Sequence, residues 1–211
     1  MSKEEHILAV KNKNVWTNGY SEIPAELGLS DIFGAEDLVI GSREWLEEDE
    51  GFLQLIPYCV ITSENGNVLA YSRTTQTGES RLSGKVSIGI GGHVNVEGLK
   101  QRSGVIDTLG TIMNSTYREL DEEISLPLDT DAPFNIQFRG FIYDPSDAVG
   151  RVHLGLLMDC KIAPELENLK HKFSSVDKGI NILGFFPKEY LLNSDEISLE
   201  GWSRIALEAL K

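Results

Sequence analysis

Two periods of apolar residues organise the chain. The helical period runs through Ile106, Leu109, Met113, Tyr117, Leu120 and Ile124, in steps of three and four. It predicts an amphipathic helix that ends near residue 124. The other pattern is short runs rich in β-formers, at 53–62, 68–74, 85–90, 134–143, 151–162 and 180–186. Glu64-Asn65-Gly66-Asn67 between the first two runs is a hairpin turn signal. Asp144-Pro145-Ser146-Asp147 joins the fourth and fifth. Residues 6–10 predict a further short strand. Ser42 caps a predicted helix over 42–50. Pro187 opens a short helix as its first residue, and 199–211 predict a closing amphipathic helix. Polar stretches at 75–84 and 94–105, a turn-rich link at 127–133 and a charged connection at 163–175 separate these elements. The 94–105 stretch reads as an irregular, mobile insertion. With no internal repeat and no low-complexity linker, the pattern predicts one α/β domain over 53–211. Residues 1–52 then form an N-terminal elaboration that packs on the core, shapes one wall of a substrate site or makes a homodimer contact.

Chemistry concentrates at the end of the predicted long helix, in Arg118-Glu119-Leu120-Asp121-Glu122-Glu123-Ile124. At about 100° per residue, Glu119, Glu122 and Glu123 share an arc of about 100° away from the apolar stripe. Carboxylates at i, i+3 and i+4 repel one another. Such a cluster suits either a solvated acidic face or a hard divalent cation with oxygen ligands. Upstream, the strand at 85–90 runs into Gly91-Gly92-His93. A Gly pair at a strand end lets the backbone turn tightly and approach a ligand closely.

This order of strand, Gly-Gly loop and Arg-Glu-Leu-x-Glu-Glu helix resembles the Nudix hydrolases. Their pattern is G-x5-E-x7-R-E-U-x-E-E-x-G-U, where U is a bulky apolar residue. Residues 118–126 match its second half at every specified position but one. Ser125 stands where the family has Gly, a residue that would cap the helix in a left-handed conformation, so Ser should cost on the order of 1 kcal/mol. The first half departs more. Eight residues before Arg118 stands Gly110 rather than Glu. Anchoring on Gly91-Gly92 instead places an insertion of about a dozen residues before the helix and brings Glu97 near the missing acidic position, one residue out of register. Arg43-Glu44-Trp45-Leu46-Glu47-Glu48 also fits R-E-U-x-E-E, but no Gly-pair strand precedes it. It reads as a surface helix.

The resemblance implies an α/β/α sandwich with a mixed sheet, and metal-dependent hydrolysis of a phosphoanhydride. Glu119, Glu122 and Glu123 would hold Mg²⁺ or Mn²⁺, with the Gly91 carbonyl as a further donor. Glu119 would also help deprotonate the attacking water, and Arg118 would orient the glutamates, for example through Glu122. Glu165, Glu167 and Asp177 are open candidates for one more acidic ligand. Arg73, Arg81 and Lys85 cluster near the Gly-Gly strand, either to grip substrate phosphates or to balance surface acids. His93 is either a loop hydrogen-bonder or a base, and Lys100 and Arg102 are candidate substrate contacts. The substrate expected is a phosphorylated small molecule, a nucleoside diphosphate linked to another group. A catalytically silent nucleotide-binding module is the alternative. An isoprenoid diphosphate isomerase would need a Cys-bearing loop, which the sequence does not offer.

Composition narrows the partners. A net charge of −14 over 211 residues argues against a nucleic-acid-binding surface or an anionic membrane surface. Metal can still bridge acidic side chains to phosphate. The first residues do not form a charged-then-apolar leader, and no apolar run reaches the ~18 residues of a membrane span. Cys59 and Cys160 sit in apolar runs, as buried thiols in a reducing, cytoplasmic setting would.

Overall fold

The computed structural model describes residues 5–24, 27–73, 84–125, 135–167, 174–175 and 180–210. The chain opens with β1 (His6–Lys11), β2 (Gly19–Glu22), α1 (Leu29–Ile32), β3 (Leu38–Ser42) and α2 (Arg43–Glu48). The hairpin β4 (Phe52–Ser63) and β5 (Asn67–Arg73) follows, then β6 (Val86–Ser87) and β7 (Gly89–Ile90). A small hairpin, β8 (Gln101–Arg102) and β9 (Val105–Ile106), precedes the long helix α3 (Thr108–Glu123), which runs into β10 (Ile124–Ser125). Next come β11 (Asn135–Tyr143), β12 (His153–Ile162), β13 (Ser174–Ser175), β14 (Ile180–Pro187), α4 (Lys188–Asn193) and α5 (Gly201–Ala209). The architecture is α/β, with a large mixed sheet. Among the described residues no helix is long and apolar enough to cross a membrane.

The chain divides into two compact units. The first comprises Met1–Tyr58, Gly91–Arg118 and Arg139–Leu157; the second comprises Cys59–Ile90, Glu119–Phe138 and Met158–Lys211.

In the first unit β1 pairs antiparallel with β3 (Leu8 opposite Ile40) and with β4 (Val10 opposite Leu53). β1 is apolar on successive residues, as a strand covered on both faces should be: Ile7, Leu8, Ala9 and Val10 are all buried. Leu8 also donates its amide to the Val94 carbonyl at 2.8 Å. Ile7, Ala9 and Leu46 form one core cluster, with Phe52 packed against it. Trp16, Phe33 and Phe141 meet in a second, with ring centroids 4.7–6.1 Å apart. β2 pairs antiparallel with β11. Ser42 caps α2 as expected, accepting from the Trp45 amide at 3.4 Å. Arg43 is bound to Glu47 at 2.8 Å and Glu5 at 3.1 Å, so this second Arg-Glu-Glu segment is an ordinary capped, ion-paired helix.

In the second unit β5 lies between β14 and the end of β4, and also pairs with β6. The β4–β5 turn is the one its Asn-Gly signals, with Gly66 at φ +80°. Glu167 clasps that turn, accepting from Asn65 Nδ2 at 3.2 Å and Asn67 Nδ2 at 2.7 Å. α5 is tied to β6 and the residue after it. The Glu200 amide donates to the Val86 carbonyl at 3.0 Å, and the Ile88 amide donates to Ser203 Oγ at 3.2 Å. Pro187 caps α4 from just outside rather than opening it as the first helical residue.

Three local readings are corrected. The strand at 85–90 is two short pieces, interrupted at Ile88. The insertion at 94–105 is ordered: a 3-10 turn over Val96–Gly98 leads into the β8–β9 hairpin, whose turn places Ser103 and Gly104 at positive φ. At the end of α3, Ser125 does not take a left-handed cap. The chain passes straight into β10, which pairs antiparallel with β13, so no left-handed conformation is imposed on Ser125. The link at 127–133 and the loop at 75–83 lie outside the described residues.

Candidate active-site helix and its Gly-Gly loop

The buried face of α3 differs from the one its apolar periodicity predicts. Leu109 and Tyr117 are about half exposed, at 51% and 52%. Of the predicted stripe Leu120 and Ile124 are buried, and Thr108, Thr111, Ile112, Ser115, Thr116 and Glu119 are buried beside them. The reason lies in what the helix grips. Thr111 Oγ1 accepts from the Lys100 amide at 2.9 Å, and Asn114 Nδ2 donates to the Gly98 carbonyl at 3.1 Å. Asp107 Oδ1 accepts from the Gly110 amide at 2.9 Å, capping the helix. A Cβ on Gly110 would lie 2.7 Å from Asp107 Oδ2, so the Gly that replaces the family's Glu makes room for this cap. Glu97 is exposed on the 3-10 turn.

The same face holds the Gly-Gly loop. A Cβ on Gly91 would overlap the carbonyl oxygen of Pro57, so only Gly fits. The Arg118 guanidinium donates through Nη2 to the His93 carbonyl at 2.8 Å and to Ser115 Oγ at 3.4 Å. Ser115 Oγ donates to the same carbonyl at 3.4 Å. Arg118 thus clamps the loop.

His93 is fixed by its ring as well. Its Nε2 lies 2.8 Å from Gln54 Oε1 and 3.2 Å from His153 Nε2. His153 Nδ1 lies 2.7 Å from the Val149 carbonyl. Burial, then the positive charges of Arg43, His153 and Arg118, lowers the His93 pKa from 6.5 to about 3. His93 therefore stays neutral across the physiological range. Gln54 and His153 escaped the sequence reading, because each lies inside a strand run with no local signal.

The second unit carries the glutamates, on the last turns of α3. Glu119 is buried, Glu123 half-buried and Glu122 exposed. All three have interaction partners within the fold. Carboxylates are the donors that hard divalent cations take, so residue types suit Mg²⁺ or Mn²⁺. No three His, Cys, Asp or Glu side chains among the described residues are already gathered around one ion position. Of the other basic candidates, Arg73 is half-buried, paired with Glu200 (Nε to Oε1, 3.5 Å), and donates to Tyr71 OH at 3.2 Å. The Tyr71 hydroxyl in turn donates to the Gly89 carbonyl at 2.5 Å. Arg73 thus braces the strand that leads to the loop. Lys85 is half-buried, Lys100 and Arg102 are exposed, and Arg81 lies outside the described residues. Glu165 is exposed, Glu167 is engaged with the β4–β5 turn, and Asp177 lies outside the described residues.

No protein-family model matches the chain. It is 35% identical over 168 residues to protein YmaB of Bacillus subtilis (strain 168), which spans 78% of this chain and 74% of that protein. Its fold is similar to the crystal structure of Tm1382, a protein assigned to the Nudix hydrolases. The TM-score is 0.70, at 26% identity, with 98% of each chain covered. The α/β architecture, the Gly-Gly loop after β7 and the Arg-Glu-Leu-x-Glu-Glu end of α3 agree with that likeness, and the chain, in one family with YmaB, belongs to the Nudix hydrolase superfamily.

Proposed function

We propose that the protein is a divalent-metal-dependent hydrolase that cleaves a phosphoanhydride bond in a nucleoside diphosphate linked to another group. The observation that carries this is the retention of Glu119, Glu122 and Glu123 on one rigid helix end, in a chain of Nudix fold. In this reading the three glutamates hold Mg²⁺ or Mn²⁺, and the resemblance adds the Gly91 carbonyl as a donor. Bound metal would neutralise phosphate charge and lower the pKa of a water. Buried Glu119 is the carboxylate assigned to take that water's proton. Arg118 keeps the Gly-Gly loop in place through the His93 carbonyl. Arg73, Arg81 and Lys85 are proposed as phosphate contacts, Arg73 while tied to Glu200 and Tyr71.

A silent binding module is the second reading. It is favoured by Gly110 at the position of the family's first Glu and by the exposed placement of Glu97. A mass-spectrometric screen separates the two. It would test nucleoside triphosphates, ADP-ribose, NAD-type dinucleotides, dinucleoside polyphosphates and nucleotide sugars, with Mg²⁺ or Mn²⁺, beside Glu122→Gln. Cleavage at a phosphoanhydride, lost in the variant, is expected. No cleavage of any compound, with ligand-induced stabilisation on the same panel, would establish the binding module instead.

A further inference from the structure

We propose that Gln54, His93 and His153 form a positioning device that locks the loop after β7 and registers it against the Arg118 turn of α3. The inference rests on the hydrolase reading of α3 for its functional consequence, but its geometry stands within the first unit alone.

The argument is a count of protons. A carbonyl only accepts, so the 2.7 Å contact with the Val149 oxygen requires a proton on His153 Nδ1. In the proposed device that is the ring's one proton, and His153 Nε2 accepts from His93 Nε2 at 3.2 Å. Gln54 Oε1, a second acceptor, faces that same atom at 2.8 Å. His93 Nε2 must therefore carry the proton and share it between both acceptors. Rotating the Gln54 amide would set its NH₂ against His93 Nε2 and leave two bare ring nitrogens facing each other. In that state one tautomer of each ring and one amide orientation fit these three contacts.

The lock reaches the backbone from both sides. The His93 ring is held by Gln54 and His153, while its carbonyl accepts from Arg118 and Ser115. Two residues earlier, Gly91 is packed against the Pro57 carbonyl; one residue later, the Val94 carbonyl accepts from Leu8. Arg118 directly precedes Glu119 on α3, and the functional consequence proposed is that a loop bound to Arg118 supports metal binding by the glutamates that follow it. Gln54 also has a cost that points away from a purely stabilising role. It is fully buried, and its Nε2 has no hydrogen-bond partner among the described residues. An apolar residue of similar size would avoid that cost but could not accept from His93.

Two measurements test the device. Two-bond ¹H–¹⁵N correlation of the imidazoles at pH 7.5 should show His93 protonated on Nε2 and His153 on Nδ1. A proton on His93 Nδ1 would overturn the proposal. Separately, Mn²⁺ affinity is titrated in the full chain, with Glu122→Gln marking the proposed α3 site. Gln54→Leu should bind Mn²⁺ about 10–100-fold more weakly, the usual effect of losing an outer-shell partner, while its melting temperature stays at or above the wild-type value. His93→Leu should show the same loss of affinity from the other side of the contact, which keeps the test open if Gln54→Leu does not fold. His93→Gln, which keeps a donor at the Nε2 position, should retain most of the affinity. Unchanged Mn²⁺ affinity in Gln54→Leu and His93→Leu would sink the positioning role. Failure of the wild-type chain to bind Mn²⁺ would instead sink the reading of α3, and the tautomers alone would then decide whether the lock exists.

Discussion

At residue 91 a single atom dictates the side chain. The Pro57 carbonyl oxygen occupies the place a Cβ would take, and it belongs to the backbone of β4, which cannot swing aside. Gly91→Ala should therefore cost about 1–3 kcal/mol, as overpacking does, read as a shift of the urea midpoint; a midpoint within error of wild type would contradict the close approach. His93 makes a prediction in pH. Burial and the charges of Arg43, His153 and Arg118 hold its pKa at about 3, below the ordinary 6.5 of the unfolded chain. Between these values the unfolded chain binds more protons, so stability falls as pH is lowered through that window. His93→Gln removes this contribution and should flatten the stability profile between about pH 6.5 and 3. An unchanged slope would show that His93 titrates normally in the fold. At this scale the Gly-Gly-His turn was legible, because two glycines at a strand end have few other uses. Its partners were not. Gln54 and His153 lie 39 and 60 residues from His93, and nothing local in their strands marks them as partners.

At the scale of elements, α3 shows where periodicity misleads. Its C-terminal end was legible, including the burial of Leu120 and Ile124, but the buried face of its earlier turns was not. Small polar residues that bond to neighbouring backbone, such as Thr111 and Ser115, read as solvent-facing in a hydrophobic pattern, yet they are buried here. The consequence can be measured. Leu109→Gln, on the predicted apolar stripe, should change stability by no more than about 0.5 kcal/mol. Ile112→Ala, off that stripe but fully buried, should cost about 2–5 kcal/mol. The opposite ranking in urea unfolding would restore the face implied by periodicity. The end of α3 teaches the same lesson. Ser125 breaks the family pattern because β10 replaces the left-handed cap, so Ser125→Gly should not stabilise the chain. Strands and hairpins were easier to read, since the Asn-Gly turn and the β-rich runs are local signals.

For the whole molecule, fold and family were legible because one motif, Arg118 to Glu123, is dense and lies in the expected order after a Gly-pair strand. The extent of the N-terminal strand pairing was not. β1, β2 and β3 pair with one another or with strands far along the chain, and long-range register leaves little trace in sequence. The acidic charge of the chain and its three helix glutamates have one shared chemical use in this account, the binding of divalent metal beside phosphate. That use is tested most directly by turnover in ¹⁸O-labelled water, on whichever phosphoanhydride substrate the screen identifies. With Mg²⁺ present, label should enter a phosphate of one product, and both label and turnover should vanish with chelator or in Glu122→Gln. Equal turnover in Glu122→Gln, or turnover that survives chelation, would contradict the assignment of the α3 glutamates as the metal-holding, catalytic end of the protein.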